Sequence, residues 1–146
     1  MKKNSWKGSF APKIDISKAF ETIKWSFLFE VIRRYGFSND FIKLISTILN
    51  FLRLSILINR SPRGYFTCTR GLRQGDPLSG LLFSLAEDYM SRCIIELTQL
   101  GIYKQIRVGW NNLIPSHLLY ANHILLFGKF SKNTISAIKA LFSHYE

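Results

Sequence analysis

The stretch His117-Leu118-Leu119-Tyr120-Ala121-Asn122-His123-Ile124-Leu125-Leu126-Phe127 decides how this chain folds. Two apolar runs flank a short polar centre, and this pattern is typical of a β-hairpin with a tight turn at its tip. A hairpin tip is held by two strands, so side chains placed there have a fixed position. The identity of Tyr120-Ala121-Asn122-His123 is therefore central to what the protein does.

The composition is that of a globular protein. The chain has 146 residues, of which 47% are hydrophobic and 14% aromatic, which argues against disorder and fits a single domain. No apolar run reaches the roughly 18 residues of a membrane helix, and the basic start lacks the apolar segment of a secretory signal. Cys68 and Cys93 do not have the spacing of metal ligands, and two cysteines are too few for a disulfide framework. The sequence thus predicts an intracellular protein with reduced thiols and no membrane partner, and it leaves the compartment and the oligomeric state open.

The charge is strongly positive and unevenly spread. Twenty Lys and Arg against nine Asp and Glu give a net charge of +11. The segment from Leu52 to Gln74 has no acidic residue but holds five arginines: Arg53, Arg60, Arg63, Arg70 and Arg73. A short basic run is ordinarily a solvated face, but so one-sided a run in so basic a protein favours a surface that binds a phosphate polyanion.

Hydrophobic periodicity predicts alternating strands and helices. Apolar residues recur every four positions between Lys18 and Tyr35, which predicts one amphipathic helix that ends at Gly36. The other predicted elements are a strand at 11–16, a helix from a Ser38 cap through Ile48 to Phe51, a strand at 54–58, a turn at 59–64, a strand at 65–69, a helix from Pro77 to about Gln99, short strands near 104–110 and a last helix from about Asn133. This order predicts an α+β fold, an antiparallel sheet with helices packed on one face.

Two further segments place polar chemistry on these elements. Lys13-Ile14-Asp15-Ile16-Ser17-Lys18-Ala19-Phe20 sets a carboxylate at the end of a strand. Arg70-Gly71-Leu72-Arg73-Gln74-Gly75-Asp76-Pro77-Leu78-Ser79 joins arginines and glycines to a helix N-terminus, an arrangement suited to phosphate. Singly, these residues have ordinary explanations as strand ends, helix caps and turn formers. In this order, together with the hairpin, they are far more specific.

With these segments the chain resembles the palm region of a reverse transcriptase from a non-LTR (LINE-type) retrotransposon, with plant elements the most similar. The resemblance runs from about Gly8 to Glu146 and includes Trp25, residues 82–88 and residues 116–121. It implies an RNA-directed DNA polymerase that acts on an RNA or DNA template–primer with Mg²⁺ as cofactor. It also implies that residues 1–146 are a truncated domain, a palm with remnants of the fingers and without the thumb.

The resemblance gives a role to each matching residue. Asp15 matches the first metal-binding aspartate, while Asn122 and His123 occupy the places of the family's adjacent pair of aspartates. Phe20 matches the aromatic gate that disfavours ribonucleotides, although a core aromatic is equally compatible with the sequence. The remaining assignments are the incoming-nucleotide pocket for Arg73, Gln74 and Gly75, the primer end for Tyr120, and the nucleic-acid surface for Arg53, Arg60, Arg63 and Arg70.

Asn122 and His123 leave one of the three negative charges that the resemblance implies for the metal site. Mg²⁺ is anchored by carboxylates, whereas imidazole suits Zn²⁺, Cu²⁺ or Ni²⁺; Asp15 and His123 alone are too few ligands to predict a new metal site. Losing two charges at metal–ligand distance costs several kcal/mol, so the sequence predicts a catalytically inactive palm. Two alternatives stay open: a non-catalytic nucleic-acid-binding module that uses the basic surface, and a fragment completed by a partner chain that supplies the acid pair.

Overall fold

The computed structural model describes residues 8–108, 112–129 and 131–145, and within them it has the predicted α+β composition. The helices are α1 (Ala19–Thr22), α2 (Trp25–Arg34), α3 (Asn39–Asn50), α4 (Pro77–Gln99) and α5 (Lys132–Tyr145). The strands are β1 (Ser9–Phe10), β2 (Lys13–Asp15), β3 (Arg53–Ile58), β4 (Ser61–Thr67), β5 (Arg107–Val108), β6 (Asn112–Leu113), β7 (His117–Tyr120), β8 (His123–Leu126) and β9 (Gly128–Lys129). The part of the chain that is described contains no helix with both the length and the apolarity to cross a bilayer.

The chain divides into two compact units. The first comprises the described residues up to Lys18 and from Glu87 onward, and the second comprises Ala19–Ala86. The helix α4 begins in the second unit and ends in the first. Each unit is described separately below.

The first unit is built on a three-stranded antiparallel sheet in the order β2-β8-β7. The predicted hairpin at 117–127 is confirmed: β7 and β8 pair from His117↔Leu126 to Tyr120↔His123 around a two-residue turn, Ala121-Asn122. Ala121 has a φ of +50°, which a two-residue hairpin turn of this kind requires of its first residue. The buried hydrophobic residues described in this unit are Ile16, Met90, Ile94, Tyr103, Ile124, Leu126 and Ile138.

Tyr103 fixes the base of this unit. Its side chain is 1% exposed, its hydroxyl donates a hydrogen bond of 3.1 Å to the carbonyl of Ser116, and burial raises its pKa to about 12. Gly128 in β9 lies against its ring, where an added Cβ would come within 2.9 Å. The tyrosine therefore holds the chain just before β7 and leaves no room for a side chain at position 128.

The second unit has a helical core in which α2 packs against α3. The amphipathic pattern is the cause, since the apolar stripe of α2 is buried while Glu30, Arg33 and Arg34 form exposed ion pairs on the opposite side. Ser38 caps α3 as predicted, accepting a hydrogen bond from the backbone N–H of Phe41 at 3.2 Å. The buried residues from these helices are Trp25, Phe27, Leu28, Val31, Ile32, Ile42, Ile45 and Leu49.

The single helix predicted between Lys18 and Tyr35 is wrong, because the structure breaks it into α1 and α2. Lys24 is extended, with φ −73° and ψ 133°, and it forms a β-bridge with Arg70. The carbonyl of Ile23 accepts a hydrogen bond of 2.8 Å from the N–H of Gly71. A tertiary contact with the 70–72 segment thus interrupts a stretch whose apolar period continues through the break.

The second hairpin, β3–β4, has a shorter turn than predicted. Ile58 pairs with Ser61, so the turn is Asn59-Arg60 and not 59–64. Pro62 lies within β4, which pairs with β3 alone among the described strands and tolerates a missing N–H on its outer edge. Gly64, with φ +61°, is the extra residue of a bulge opposite Ser55 and Ile56. Proline and glycine here shape a strand, whereas the sequence pattern indicated a loop.

The long helix α4 begins and ends where it was predicted. Asp76 accepts hydrogen bonds from the N–H groups of Leu78 and Ser79 at 3.4 and 3.3 Å, and Pro77 is the first helical residue. Gly101, with φ +70°, follows the last turn. The last helix is also confirmed as α5. Of the strands predicted near 104–110, β5 is present, and residues 109 and 110 lie outside the described residues.

Candidate active site

The first unit brings Asp15 to the tip of the β7–β8 hairpin. The strand β2 pairs with β8 so that Asp15 lies directly across from His123. The pairing continues one step further, because the N–H of Ile16 donates a 2.9 Å hydrogen bond to the carbonyl of Asn122. The structure therefore places together the three residues that the sequence matched to the metal site. Asp15 and Asn122 meet although they are 107 positions apart in the sequence.

One oxygen of Asp15 faces both substituted residues. The amide nitrogen of Asn122 donates a 2.8 Å hydrogen bond to Oδ1 of Asp15. Nδ1 of His123 lies 3.4 Å from the same oxygen but is not aligned for a hydrogen bond, and this buried atom has no hydrogen-bond partner in the part of the chain that the structure describes. The Asp15 side chain is 62% exposed, so its other oxygen stays open to water. The Asn122 amide and Asp15 therefore bond to each other, while Nδ1 of His123 stays without a hydrogen bond to any described residue.

This donor set does not fit Mg²⁺. The ion needs hard oxygen ligands, preferably carboxylates, and the tip offers a single carboxylate. Asn122 turns its nitrogen toward Asp15, and the opposite orientation would set two oxygens 2.8 Å apart without a proton between them. The imidazole of His123 is a ligand for softer ions. No group of three or more His, Cys, Asp or Glu side chains able to hold a metal occurs among residues 8–108, 112–129 and 131–145.

Tyr120 ends β7 beside this tip. Its side chain is 80% exposed, the highest exposure of any large hydrophobic residue in the described chain. It pairs across the turn with His123. An exposed ring at the end of a strand is accessible to a ligand, and the primer-end role that the resemblance implies stays a prediction.

The residues matched to the nucleotide pocket belong to the second unit. Arg73 and Gln74 line an open groove of about 780 Å³, together with Arg53 and Arg70. Arg60 lies in the β3–β4 turn and Arg63 in β4, and neither lines this groove. Of the predicted nucleic-acid surface, the structure therefore gathers Arg53 and Arg70 with Arg73 and leaves Arg60 and Arg63 apart from the groove.

The groove wall is anchored at Gly71. Its carbonyl accepts a 2.7 Å hydrogen bond from the indole N–H of Trp25, and its N–H donates a 2.8 Å hydrogen bond to the carbonyl of Ile23. Glu21 also lines the groove. No local pattern indicated that this acid would lie among the arginines, because the contact of the first motif with the 70–74 segment is a tertiary one.

Gly75 and Phe20 complete the predicted pocket residues. Gly75 has φ +85° and open space around the position of a Cβ. Phe20 is half-buried and stacks on Phe83, with ring centroids 4.1 Å apart and an interplanar angle of 19°. The stacking holds the ring at a fixed angle, and it is compatible with either a gate or a core residue.

The predicted phosphate site at the N-terminus of α4 needs correction. The Asp76 carboxylate occupies the N–H groups of Leu78 and Ser79, and it also accepts a 2.9 Å hydrogen bond from the Ser79 hydroxyl. A bound anion would have to displace this carboxylate. The positive charge available in this region therefore comes from the arginine side chains.

Sequence reasoning missed a hydrogen-bond network around His117. Nε2 lies 2.7 Å from the Ser91 hydroxyl and Nδ1 lies 2.9 Å from the Ser116 hydroxyl. Burial lowers the pKa of His117 from its ordinary 6.5, which favours the neutral ring. Ser91 is 26 positions away in α4, so no local pattern could have indicated the contact.

The fold and the site together define the class of protein. In the first unit an antiparallel sheet places Asp15 beside the tip of the β7–β8 hairpin. In the second unit the segment 70–74 forms part of an arginine-lined groove. Both features are expected for a polymerase palm. The chain belongs to the reverse transcriptase (RNA-dependent DNA polymerase) family, whose model matches residues 2–146.

Several proteins are similar to parts of the chain. An uncharacterized mitochondrial protein of Arabidopsis thaliana is 42% identical over 69 residues, covering 47% of this chain and 57% of that protein. The retrovirus-related Pol polyprotein from a type-2 retrotransposable element of Drosophila melanogaster is 26% identical over 124 residues, covering 85% of this chain and 11% of the polyprotein. An uncharacterized 149 kDa transposon protein of Xenopus laevis is 34% identical over 73 residues, covering 50% of this chain and 6% of that protein.

These similarities confirm the predicted resemblance to non-LTR retrotransposons and to a plant sequence. The chain spans only about a tenth of the Drosophila polyprotein and little more than half of the Arabidopsis protein.

Proposed function

We propose that this protein is a reverse transcriptase palm that has lost nucleotidyl transfer. The observation that carries the proposal is the 2.8 Å hydrogen bond from the Asn122 amide to Asp15. It occupies one of the two oxygens of Asp15, the single carboxylate among the three positions matched to the metal site. RNA or DNA template–primer is the ancestral partner, and Mg²⁺ is the ancestral cofactor that is no longer bound productively.

Charge accounts for the size of the loss. In a complete site three carboxylates would hold two metal ions, which would supply charge stabilisation for nucleotidyl transfer. Asp15 with Asn122 and His123 supplies one carboxylate. Even at an effective dielectric constant of 20, removing one charge at ion–ligand distance costs about 4 kcal/mol or more, and each 1.36 kcal/mol is roughly tenfold in rate. Polymerization should therefore fall below detection.

The proposal assigns the other residues to remnants of substrate binding. Phe20 would stand at the sugar of an incoming nucleotide, Arg73, Gln74 and Gly75 at its base and phosphates, and Tyr120 at the primer end. The arginine-lined groove and the exposed Tyr120 ring support these roles. None of these residues can replace the missing carboxylates.

Primer extension with Mg²⁺ or Mn²⁺ tests the loss. The unchanged chain should give no product, and the double variant Asn122→Asp/His123→Asp should give a detectable amount. The matched control adds Asp15→Ala to the double variant and should remove that activity. Extension by the unchanged chain that disappears with Asp15→Ala would refute the proposal.

Thermal unfolding with Mn²⁺ gives a readout that does not depend on the whole polymerase. A ligand at 100 times its dissociation constant stabilises the folded state by about 2.7 kcal/mol. The melting temperature of the double variant should rise with Mn²⁺, whereas that of the unchanged chain should not. An equal rise in both proteins would show that Asn122 and His123 do not exclude the ion.

A second candidate function is nucleic-acid binding without catalysis. The groove with Arg53, Arg70 and Arg73 favours it, because three cations converge beside a single acid, Glu21. Fluorescence anisotropy with a labelled single-stranded oligonucleotide tests this function directly. Measurable binding at low salt supports the module, and its absence leaves only the inactive palm.

A further inference from the structure

The β3–β4 hairpin is an unusually exposed sheet. All thirteen of its strand residues are exposed, and no third strand pairs with it among the described residues. Six of these residues are large and apolar, from 48% exposure for Phe66 to 72% for Leu57. Two-stranded hairpins are marginal in water, and a third strand or a helix ordinarily completes them.

The two edges of the hairpin are not equivalent. The outer edge of β4 contains Pro62, which has no N–H, and a bulge at Gly64, both of which hinder further pairing. The edge of β3 has neither feature. Its sequence, Arg53-Leu54-Ser55-Ile56-Leu57-Ile58, is rich in strand-forming residues and carries one charge. Strand addition is therefore possible at β3 alone.

We propose that β3 pairs with β3 of a second copy, forming a four-stranded antiparallel sheet across a two-fold axis. The register centred on Ile56 sets Ile56 opposite itself and Leu54 opposite Ile58, so one face of the joint carries only large aliphatic side chains. On the other face Ser55 lies opposite Leu57. Arg53 lies opposite Asn59, so no arginine faces another.

Charge and chemistry favour a second copy over the alternatives. A nucleic acid offers no backbone amides to pair with an open strand edge, whereas β3 of a second copy does. The self-complementary register needs no acidic residues from another protein. The interface does not use Asp15, Asn122 or His123, so the inference stands apart from the proposed loss of catalysis. Arg53, Leu54 and Ser55 of β3 also line the arginine groove, so a dimer would compete there with a nucleic acid.

The net charge of +11 predicts an unusual salt response. Two such copies repel each other at long range, and salt screens that repulsion. Light scattering after gel filtration should show a doubled mass whose fraction grows from about 0.1 M to about 0.5 M salt. Binding through a nucleic acid has the opposite dependence. A monomer at every concentration, or a dimer that nuclease treatment dissolves, would overturn the proposal.

A charge swap at the two-fold axis tests the register. Ile56→Lys sets like charges opposite each other, and Ile56→Asp does the same, so each variant alone should be monomeric. An equimolar mixture should form a dimer, because Lys then faces Asp, and this recovery also shows that both variants fold. Leu81→Lys, at a leucine that is 66% exposed outside the hairpin, is the control and should stay dimeric. Ile56→Lys dimers, or a mixture that remains monomeric, would refute the pairing.

Discussion

Gly71 has the most constrained position of any described glycine in the second unit. Its φ is +89°, and an added Cβ would lie 2.7 Å from the carbonyl oxygen of Glu21. Backbone atoms cannot move aside as the end of a side chain can. Gly75, four residues on, has a similar φ of +85° but no atom within 4 Å of the Cβ position. A comparison of the two positions therefore separates the cost of a left-handed backbone, which both share, from the cost of steric overlap, which only Gly71 has.

Gly71→Ala should therefore destabilise the protein much more than Gly75→Ala. A left-handed conformation costs a non-glycine residue about 1–2 kcal/mol, and forced overlap adds about 1–3 kcal/mol. We expect a loss of about 3 kcal/mol for Gly71→Ala and of about 1 kcal/mol for Gly75→Ala. Urea unfolding of both variants measures the difference. Equal losses would mean that the Glu21 carbonyl does not confine position 71.

The tip of the β7–β8 hairpin shows how much about single residues could be predicted from the sequence. The motifs indicated that Asp15, Asn122 and His123 would meet, and the sheet register confirms that they do. The hydrogen bond between Asn122 and Asp15 could not be predicted, because it depends on which end of an amide turns toward a carboxylate. The residue types indicated the lost charge, and the geometry adds that Asn122 hydrogen-bonds to the carboxylate that remains.

At the scale of elements, the β3–β4 turn is under backbone strain. Asn59 and Arg60 both have positive φ, +50° and +65°, as a two-residue turn of type I′ requires. Asparagine accepts this conformation readily and glycine prefers it, whereas arginine does not.

Arg60→Gly should stabilise the protein by roughly 0.5–1 kcal/mol, the relief of left-handed strain less the added entropy of glycine in the unfolded chain. Arg60→Val should do the reverse, because β-branched residues fit positive φ poorly. The midpoints of urea unfolding give both changes. A loss of stability in Arg60→Gly would indicate that the arginine side chain holds the turn through a contact of its own.

Elements with a strong local signal were predicted well, and those shaped by distant contacts were not. Asp76-Pro77 and Ser38 mark helix starts by local hydrogen bonds, so α4 and α3 begin where expected. The break at Lys24 arises from pairing with Arg70, which lies 46 positions away and leaves no trace in the period of 18–35. Gly64 belongs to a bulge, and only the register of β3 against β4 reveals this.

His117 links α4 to β7 and should make stability depend on pH. Its pKa in the folded protein is lowered from 6.5 by burial, so the unfolded chain takes up the proton first as the solution is acidified. The free energy of unfolding should then fall as the pH drops below about 6.5 and level off below the folded pKa. Replacing His117 by Gln removes this term. The stability advantage of the unchanged protein over His117→Gln should shrink between about pH 7.5 and pH 5.

Glu87, which lies in α4, should change the stability with pH in the direction opposite to His117. Burial raises its pKa above 4.5, so ionization is easier in the unfolded chain and the folded state loses stability as the pH rises past about 4.5. The stability of the unchanged protein relative to Glu87→Gln should therefore increase as the pH falls toward about 4.5, opposite in sign to the His117 effect. Thermal or urea unfolding at several pH values checks both. A His117→Gln difference that is flat with pH would show that the buried ring does not titrate below its ordinary value.

At the scale of the whole molecule, two sets of three arginines differ in whether they are paired with carboxylates. Arg33, Arg34 and Arg92 are exposed, but each forms an ion pair of 2.7–3.0 Å with Glu30 or Asp88 on its own helix. Arg53, Arg70 and Arg73 converge on the groove of the second unit, beside one acid. The two sets carry the same formal charge, so they separate a general effect of net charge from the effect of a local surface.

This difference should appear in the salt dependence of binding to a single-stranded oligonucleotide. Each phosphate neutralised contributes about −0.7 to the slope of log K against log salt. Replacing Arg53, Arg70 and Arg73 by Gln should make the slope less negative by about 2 and weaken binding at low salt. The same replacement of Arg33, Arg34 and Arg92 lowers the net charge equally but removes cations already paired with carboxylates, so it should leave the slope nearly unchanged. Fluorescence anisotropy titrations at four or more salt concentrations measure both slopes. If the two triple variants lose the same slope, the groove is not the binding surface, and nucleic acid responds only to the overall charge of the molecule.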